Sequence, residues 1–264
     1  MPQVVSNDGT TIVYERTGEG PPLVIVDGAL CSRAFGPSAA QAARLADQFA
    51  VYTYDRRGRG ESTDTQPYAI EREIEDLAAV IRAAGGSAFV YGISVGSVLA
   101  LHAAAALGAG IIPKLALCEP PFSVGDDARQ EFRQEKQRID ALLAADRRGE
   151  AVATFLSEIM PPPMVDELRA SPDWTLLESH APTLAYDYTL LGDGGVPVAV
   201  AQAVEVPVLL LVGQESAEYK HTAVAELTQS LPHVELVTTS DAGFEVTDDL
   251  IDSLIRHFAP LKTA

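Results

Sequence analysis

The sequence predicts an α/β fold: a mostly parallel sheet of the eight-stranded type, with helices on both faces and a helical insertion. Three observations carry this expectation. Apolar runs such as Leu23-Val24-Ile25-Val26 and Val208-Leu209-Leu210-Leu211-Val212 are unbroken, the pattern of strands buried on both faces. They alternate with stretches whose apolar residues recur at helical spacing, which implies parallel strands joined by right-handed crossovers. One junction, Ala88 to Leu101, passes from a β-rich apolar run into an Ala/Leu-rich helical run through G-x-S-x-G at Gly92, Ser94 and Gly96. A serine at such a strand-to-helix turn is held strained and exposed beside the positive end of the following helix.

The elements follow in order. Gln3–Ser6 and Thr10–Glu15 read as strands around Asn7-Asp8-Gly9, a hairpin signal. The Leu23–Val26 strand ends at Asp27-Gly28-Ala29-Leu30 and is followed by a helix from about Pro37 to Gln48. Phe49–Tyr54 is the next strand, running into Asp55-Arg56-Arg57-Gly58-Arg59-Gly60-Glu61-Ser62. Ile74, Leu77, Ala78 and Ile81 then mark the apolar face of a helix over Ala69–Ala84. After the serine turn comes the strand Leu115–Cys118, ending at Glu119-Pro120-Pro121.

From residue 123 to 204 no strand is apparent, only helical stretches interrupted at Met160-Pro161-Pro162-Pro163 and Gly192-Asp193-Gly194-Gly195. This segment is expected to be a helical cap, with residues 1–122 and 205–264 forming the core. Beyond it lie the Val206–Val212 strand, a helix to about Ser230, the strand Val234–Thr238 and a last helix over Thr247–Phe258.

Composition narrows the function. A net charge of −18 argues against nucleic acid and anionic membranes, which call for clustered Lys and Arg. No apolar stretch approaches the roughly 18 residues of a membrane span. The amino terminus lacks the basic and apolar regions of a signal peptide, and Cys31 and Cys118 lack a paired spacing, so a reduced, cytoplasmic protein is expected. Metal and nucleotide spacings are missing: there is no H-E-x-x-H, no Cys/His cluster and no G-x-G-x-x-G after a strand, so no cofactor is expected. The expected partner is a small-molecule substrate or ligand; a homodimer is left open. Arg56, Arg57 and Arg59 form a tight cationic cluster, read as pairing with neighbouring acids ahead of meeting an anionic substrate.

The leading hairpin, the Asp27-Gly28 turn, the Asp55–Ser62 loop, the Ser94 elbow, the helical insertion and the closing strand-loop-helix together resemble the α/β-hydrolase superfamily along nearly the whole chain. The flavour is that of small capped, haloperoxidase-like esterases. The resemblance implies Ser94 as nucleophile and the backbone N–H groups of Ala29 and Val95 as an oxyanion hole. Asp27 stands where the family usually has histidine; because the hole uses backbone there, Asp27 reads as a loop anchor that borders the site. For the acid, Glu119 matches the position before the cap used by some members. Glu215, beside the Ser216 that occupies the more common Asp position, is the alternative. Asp27, Leu30, Trp174, Tyr186 and Phe244 are candidate substrate-binding residues, Trp174 and Tyr186 equally readable as packing of the insertion.

One departure governs the chemistry. The superfamily's histidine lies in the loop before the last helix, here Ser240-Asp241-Ala242-Gly243-Phe244-Glu245, and Phe244 takes its position. A phenyl ring accepts no proton, and a free serine hydroxyl without a base is a poor nucleophile. Among the five histidines, His102, His233 and His257 read as structural or solvated, whereas His180, His221 or the carboxylate of Glu245 are the candidate substitute bases. Three readings follow: an ester, lactone or thioester hydrolase with an atypical triad; a lyase, isomerase or cyclase on the same scaffold; or a ligand-binding pseudoenzyme.

Overall fold

A computed structural model of the protein describes residues 1–240 and 246–259. Eight strands form one sheet: β1 (Gln3–Val5), β2 (Thr11–Thr17), β3 (Pro22–Val26), β4 (Ala50–Tyr54), β5 (Phe89–Ile93), β6 (Leu115–Cys118), β7 (Val208–Gly213) and β8 (Val234–Thr239). Their spatial order is β1-β2-β4-β3-β5-β6-β7-β8. β1 and β2 form the antiparallel hairpin, in register Gln3 to Val13, and β2 meets β4 antiparallel; every later pairing is parallel. The hairpin turns where Gly9 takes φ +89° and the Asp8 carboxylate accepts the Thr10 N–H, as Asn-Asp-Gly favours.

The unbroken apolar runs are the central strands, and β4, β6 and β7 are buried at every position. Helices cover both faces. On one lie α2 (Ile70–Ala83) and α3 (Val95–Leu107), packed over Val24, Val26, Val90, Leu117 and Leu210. On the other lie α1 (Ser38–Leu45) and, late in the chain, the helix Asp248–Phe258, packed over Ile25, Tyr91 and Leu211. Phe258 is buried against the rings of Phe49 and Phe89, with centroids 6.2 and 5.1 Å away. Truncating such a ring costs about 3–5 kcal/mol.

Between β6 and β7 the chain is helical. α4 (Asp126–Ala144), α5 (Arg148–Ser157), α6 (Pro162–Ala170), α7 (Trp174–His180), a 3₁₀ turn at Ala181–Thr183, α8 (Leu184–Leu190) and α9 (Val198–Gln202) follow one another. α10 (Glu218–Ser230) comes after β7, so the Asp248–Phe258 helix is α11. The proline run does not simply break a helix: Pro162 opens α6, where a proline's missing N–H costs nothing. The inserted helices have an apolar cluster of their own, Phe132, Ile139, Val152, Leu156, Leu177, Leu184 and Tyr188, and it closes on Leu30 at the carboxyl edge of the sheet. No helix among the described residues is long and apolar enough to cross a membrane.

Candidate active site

Ser94 links the end of β5 to the start of α3 with φ 52° and ψ −126°, a left-handed conformation that a residue with a side chain adopts only under constraint. The flanking glycines are dictated by space. A Cβ on Gly92 would lie 2.5 Å from Ser97 Cα, and one on Gly96 would lie 2.1 Å from the Val26 carbonyl oxygen. The Ser94 N–H donates to the Cys118 carbonyl at 2.8 Å, which ties the elbow to β6. Val95 is the first residue of α3, so its N–H has no acceptor within the helix and is offered beside the serine.

The turn after β3 approaches the same point. A Cβ on Gly28 would lie 3.2 Å from Ser94 Cβ and 3.7 Å from its Oγ, so glycine lets Asp27-Gly28-Ala29 run directly beside the hydroxyl. Leu30 then takes φ 59°. Carbonyls of this turn are held by buried side chains: Arg59 donates to Gly28 at 2.5 Å and to Cys31 at 3.4 Å, and His180 Nδ1 contacts the Leu30 oxygen at 2.9 Å. Arg59 is itself fixed by both Asp187 carboxylate oxygens, each at 2.8 Å, and by Thr183.

Glu119 sits at the end of β6, one step past the Ile93–Cys118 pair and therefore beside Ser94; it is 1% exposed and has φ 54°. Its Oε1 accepts the Gly213 N–H at 2.8 Å and the Ser216 hydroxyl at 2.5 Å, and the Lys220 ammonium lies 2.6 Å from Oε2. Ser216 thus donates to a carboxylate from the neighbouring strand. Two carboxylates at that point would repel; a hydroxyl and a carboxylate bond. Glu215 is exposed, and it is its neighbour Ser216 that joins Glu119.

The histidines are accounted for by position. His257 Nε2 contacts the Leu115 oxygen at the amino end of β6, and the His233 carbonyl accepts from Val208 at the start of β7, so both lie at the edge opposite Ser94. His102 is two turns along α3, about 12 Å from the elbow by helical rise. His180 is buried, and both ring nitrogens are used: Gly60 N–H donates to Nε2 at 2.9 Å, so the proton is on Nδ1, which donates to Leu30. Burial keeps its pKa below the ordinary imidazole value. Of the candidate substitute bases, His180 thus spends both ring nitrogens on main-chain partners and clamps the backbone. His221 is half-buried in the first turns of α10.

A family model described as "Alpha/beta hydrolase family" matches residues 26–252. The chain belongs to the alpha/beta hydrolase family. A relative from Stenotrophomonas maltophilia (strain K279a), a "Pimeloyl-[acyl-carrier protein] methyl ester esterase", is 37% identical over 251 residues, spanning 92% of this chain and 94% of its own. The solved structure of an alpha/beta hydrolase from Sphaerobacter thermophilus DSM 20745 is 43% identical, with a TM-score of 0.87 over 98% of this chain and 100% of that one. The enol-lactonase from Burkholderia xenovorans LB400, at 20% identity and a TM-score of 0.73 over 97% and 99%, shares the fold.

Within this alpha/beta hydrolase, the remaining expected site residues fall in different places. Asp27 is 3% exposed, and burial pushes its carboxyl up to about 7, with the Ser38 hydroxyl and the charges of Arg59 and Arg56 pulling the other way. It is enclosed beside Cys31 and Gly36, which makes it a buried loop residue. Leu30 points into the apolar cluster of the inserted helices. Trp174 lies elsewhere: its ring receives the Arg169 guanidinium at 5.4 Å and lines a cleft of about 590 Å³ with Asp146, Arg147, Arg148, Glu150 and Glu178, apart from Ser94 and Glu119. Tyr186 stacks on Tyr68, centroids 4.1 Å apart, and its hydroxyl donates to Asp64 at 2.5 Å, so its polar end anchors α8 to the loop before α2. Phe244 and Glu245 lie outside the described residues.

The arginine cluster forms ion pairs. Arg56 binds Glu73 through two bonds at 2.8 and 2.7 Å and reaches Asp187 at 2.8 Å; Arg57 binds Asp76 at 2.7 and 2.9 Å. Sequence reasoning missed Lys220 and Asp187. Each carries the commonplace signature of a charged residue on a helix, and its partner lies 101 or more positions away. No group of metal-ligating side chains occurs among the described residues.

Proposed function

We propose that this hydrolase acts on a small carboxylic ester, lactone or thioester, with Ser94 as nucleophile, the N–H groups of Ala29 and Val95 as oxyanion donors, and Glu119 as the acid of an atypical triad. The single observation that carries the reading is the Ser94 elbow in its left-handed turn, with Gly28 packed against its Oγ and Glu119 in the adjacent register. Attack by Ser94 on the acyl carbon opens the carbonyl π bond and places negative charge on its oxygen, while the hydroxyl proton passes to water. Preorganised backbone donors stabilise that charge; removing one side-chain donor of this kind costs a protease about 3–4 kcal/mol. Glu119, anchored by Gly213, Ser216 and Lys220, supplies a fixed anion next to the nucleophile. The helices of residues 123–204 serve as the cap over this edge. The similarity to a methyl ester esterase makes methyl esters the first substrates to assay.

With Phe244 in place of the histidine, turnover is expected to be slow. A p-nitrophenyl acetate assay should show Ser94-dependent turnover, and a fluorophosphonate probe should label the protein but not its Ser94→Ala variant. Phe244→His should raise the esterase rate by about tenfold or more, since an isolated histidine deletion costs a serine protease roughly a factor of a million. No gain would mean that the remaining groups are not a hydrolytic site.

A second reading, binding or non-hydrolytic chemistry without acyl transfer, rests on one observation: His180 and His257 are committed to main-chain partners. It predicts no labelling and no ester turnover, together with a thermal shift on exposure to a metabolite panel.

A further inference from the structure

The oxyanion turn is held from the inserted helices through side chains that the triad does not use. Leu30 adopts φ 59° although it bears a branched side chain, so the turn needs external support to keep this shape. His180, the last residue of α7, provides part of it. Its Nδ1–H donates to the Leu30 carbonyl at 2.9 Å, one residue past the proposed donor Ala29. Its Nε2 accepts from Gly60 in the loop after β4, where glycine is required because a Cβ would lie 2.4 Å from the Asp55 carboxylate. The main-chain oxygen of His180 accepts the Thr183 hydroxyl, and Thr183 Oγ in turn accepts from Arg59 Nε, the same arginine that binds the Gly28 carbonyl. Leu30 and His180 are both buried at 1% exposure, so water offers neither ring nitrogen a ready substitute.

We propose that His180 is a positioning residue for the oxyanion hole: its imidazole clamps the Leu30 carbonyl and so aims the Ala29 N–H at the developing oxyanion. The inference rests on the reading of Ala29 as an oxyanion donor, and it adds a residue from the insertion to that machinery. The two ring nitrogens separate the roles. His180→Asn places an amide N–H where Nδ1 was and retains the Leu30 bond. Glutamine reaches the Nε2 position and retains the Gly60 bond instead.

The experiment measures kcat and KM on p-nitrophenyl acetate for the wild type and for His180→Ala, His180→Asn and His180→Gln. Melting temperature and amide hydrogen exchange over residues 28–33 accompany each variant. His180→Ala should lower kcat about tenfold or more with KM little changed, because misaiming one donor affects the transition state more than the ground state. His180→Asn should recover most of kcat and keep exchange slow, whereas His180→Gln should not, even if both melt at the same temperature. Equal kcat for the asparagine and glutamine variants, or unchanged exchange over 28–33 in a folded alanine variant, would overturn the proposal. If the wild type neither turns over nor labels, the hydrolase reading fails separately, and the exchange data alone decide whether His180 holds the turn.

Discussion

Two buried charged regions lie side by side beyond the carboxyl ends of β3 and β4, and they behave in opposite ways. In the first, Arg56, Arg59, Glu73 and Asp187 are enclosed, yet hydrogen-bonded ion pairs join them all. Burial alone would neutralise Glu73, but the Arg56 charge and hydrogen bonds carry its carboxyl below the ordinary value, and Glu73 and Asp187 likewise hold Arg56 in its charged form. In the second, Asp27 is equally enclosed, and its Oδ1 has no hydrogen-bond partner among the described residues. There desolvation prevails and the carboxyl shifts up to about 7. Depth of burial is the same in both; the presence of a guanidinium fork at contact distance decides which protonation state survives.

The largest test of that contrast is Asp187→Ala. It strips two buried arginines of their shared counter-charge, and removing one partner of such a network costs about 3–5 kcal/mol. A urea midpoint scarcely changed from the wild type would show that the network is not carrying the insertion's attachment. Asp27→Asn should act with the other sign and depend on pH. The folded-state pKa is raised, so the native state is favoured by protonation below about pH 4, and this contribution is lost as the pH rises through about 7. The variant does not titrate there, so its advantage over the wild type should grow from pH 4 to pH 7, by an amount on the order of a few kcal/mol, and level off above. Equal melting differences at pH 4 and pH 8 would show that Asp27 keeps its ordinary ionisation. At the small end, Arg147→Ala removes an exposed pair with Glu150 and should leave the melting curve unchanged, as solvent-screened pairs contribute little.

The fold was readable because its signals are local. Leu23–Val26 and Val208–Val212 have the pattern of strands buried on both faces, and Asn7-Asp8-Gly9 is a hairpin signal between the first two strands. The Ser94 elbow was legible from G-x-S-x-G in its strand-to-helix setting, and its glycines stand where backbones touch. Glu119 was reachable through the resemblance, which points to a carboxylate at the end of the strand before the insertion, and in the structure it lies beside Ser94. What the sequence hid was long-range. Tyr186 carries the same pattern whichever way its helix faces, so its attachment to Asp64, 122 positions away, could not be foreseen. His180 meets partners 120 and 150 positions away, and no periodicity encodes such a meeting.

Four residues other than glycine have a positive φ in this chain's described backbone: Leu30, Ser94, Glu119 and Asp146. The first three fall just past the tips of three neighbouring strands. A reader given only torsion angles, with every side chain erased, would find these three unfavourable bends gathered along one rim and would look for chemistry there. Swapping any of them for glycine would relax the main chain while blunting the rim, so selection for stability alone would tend to erase this feature.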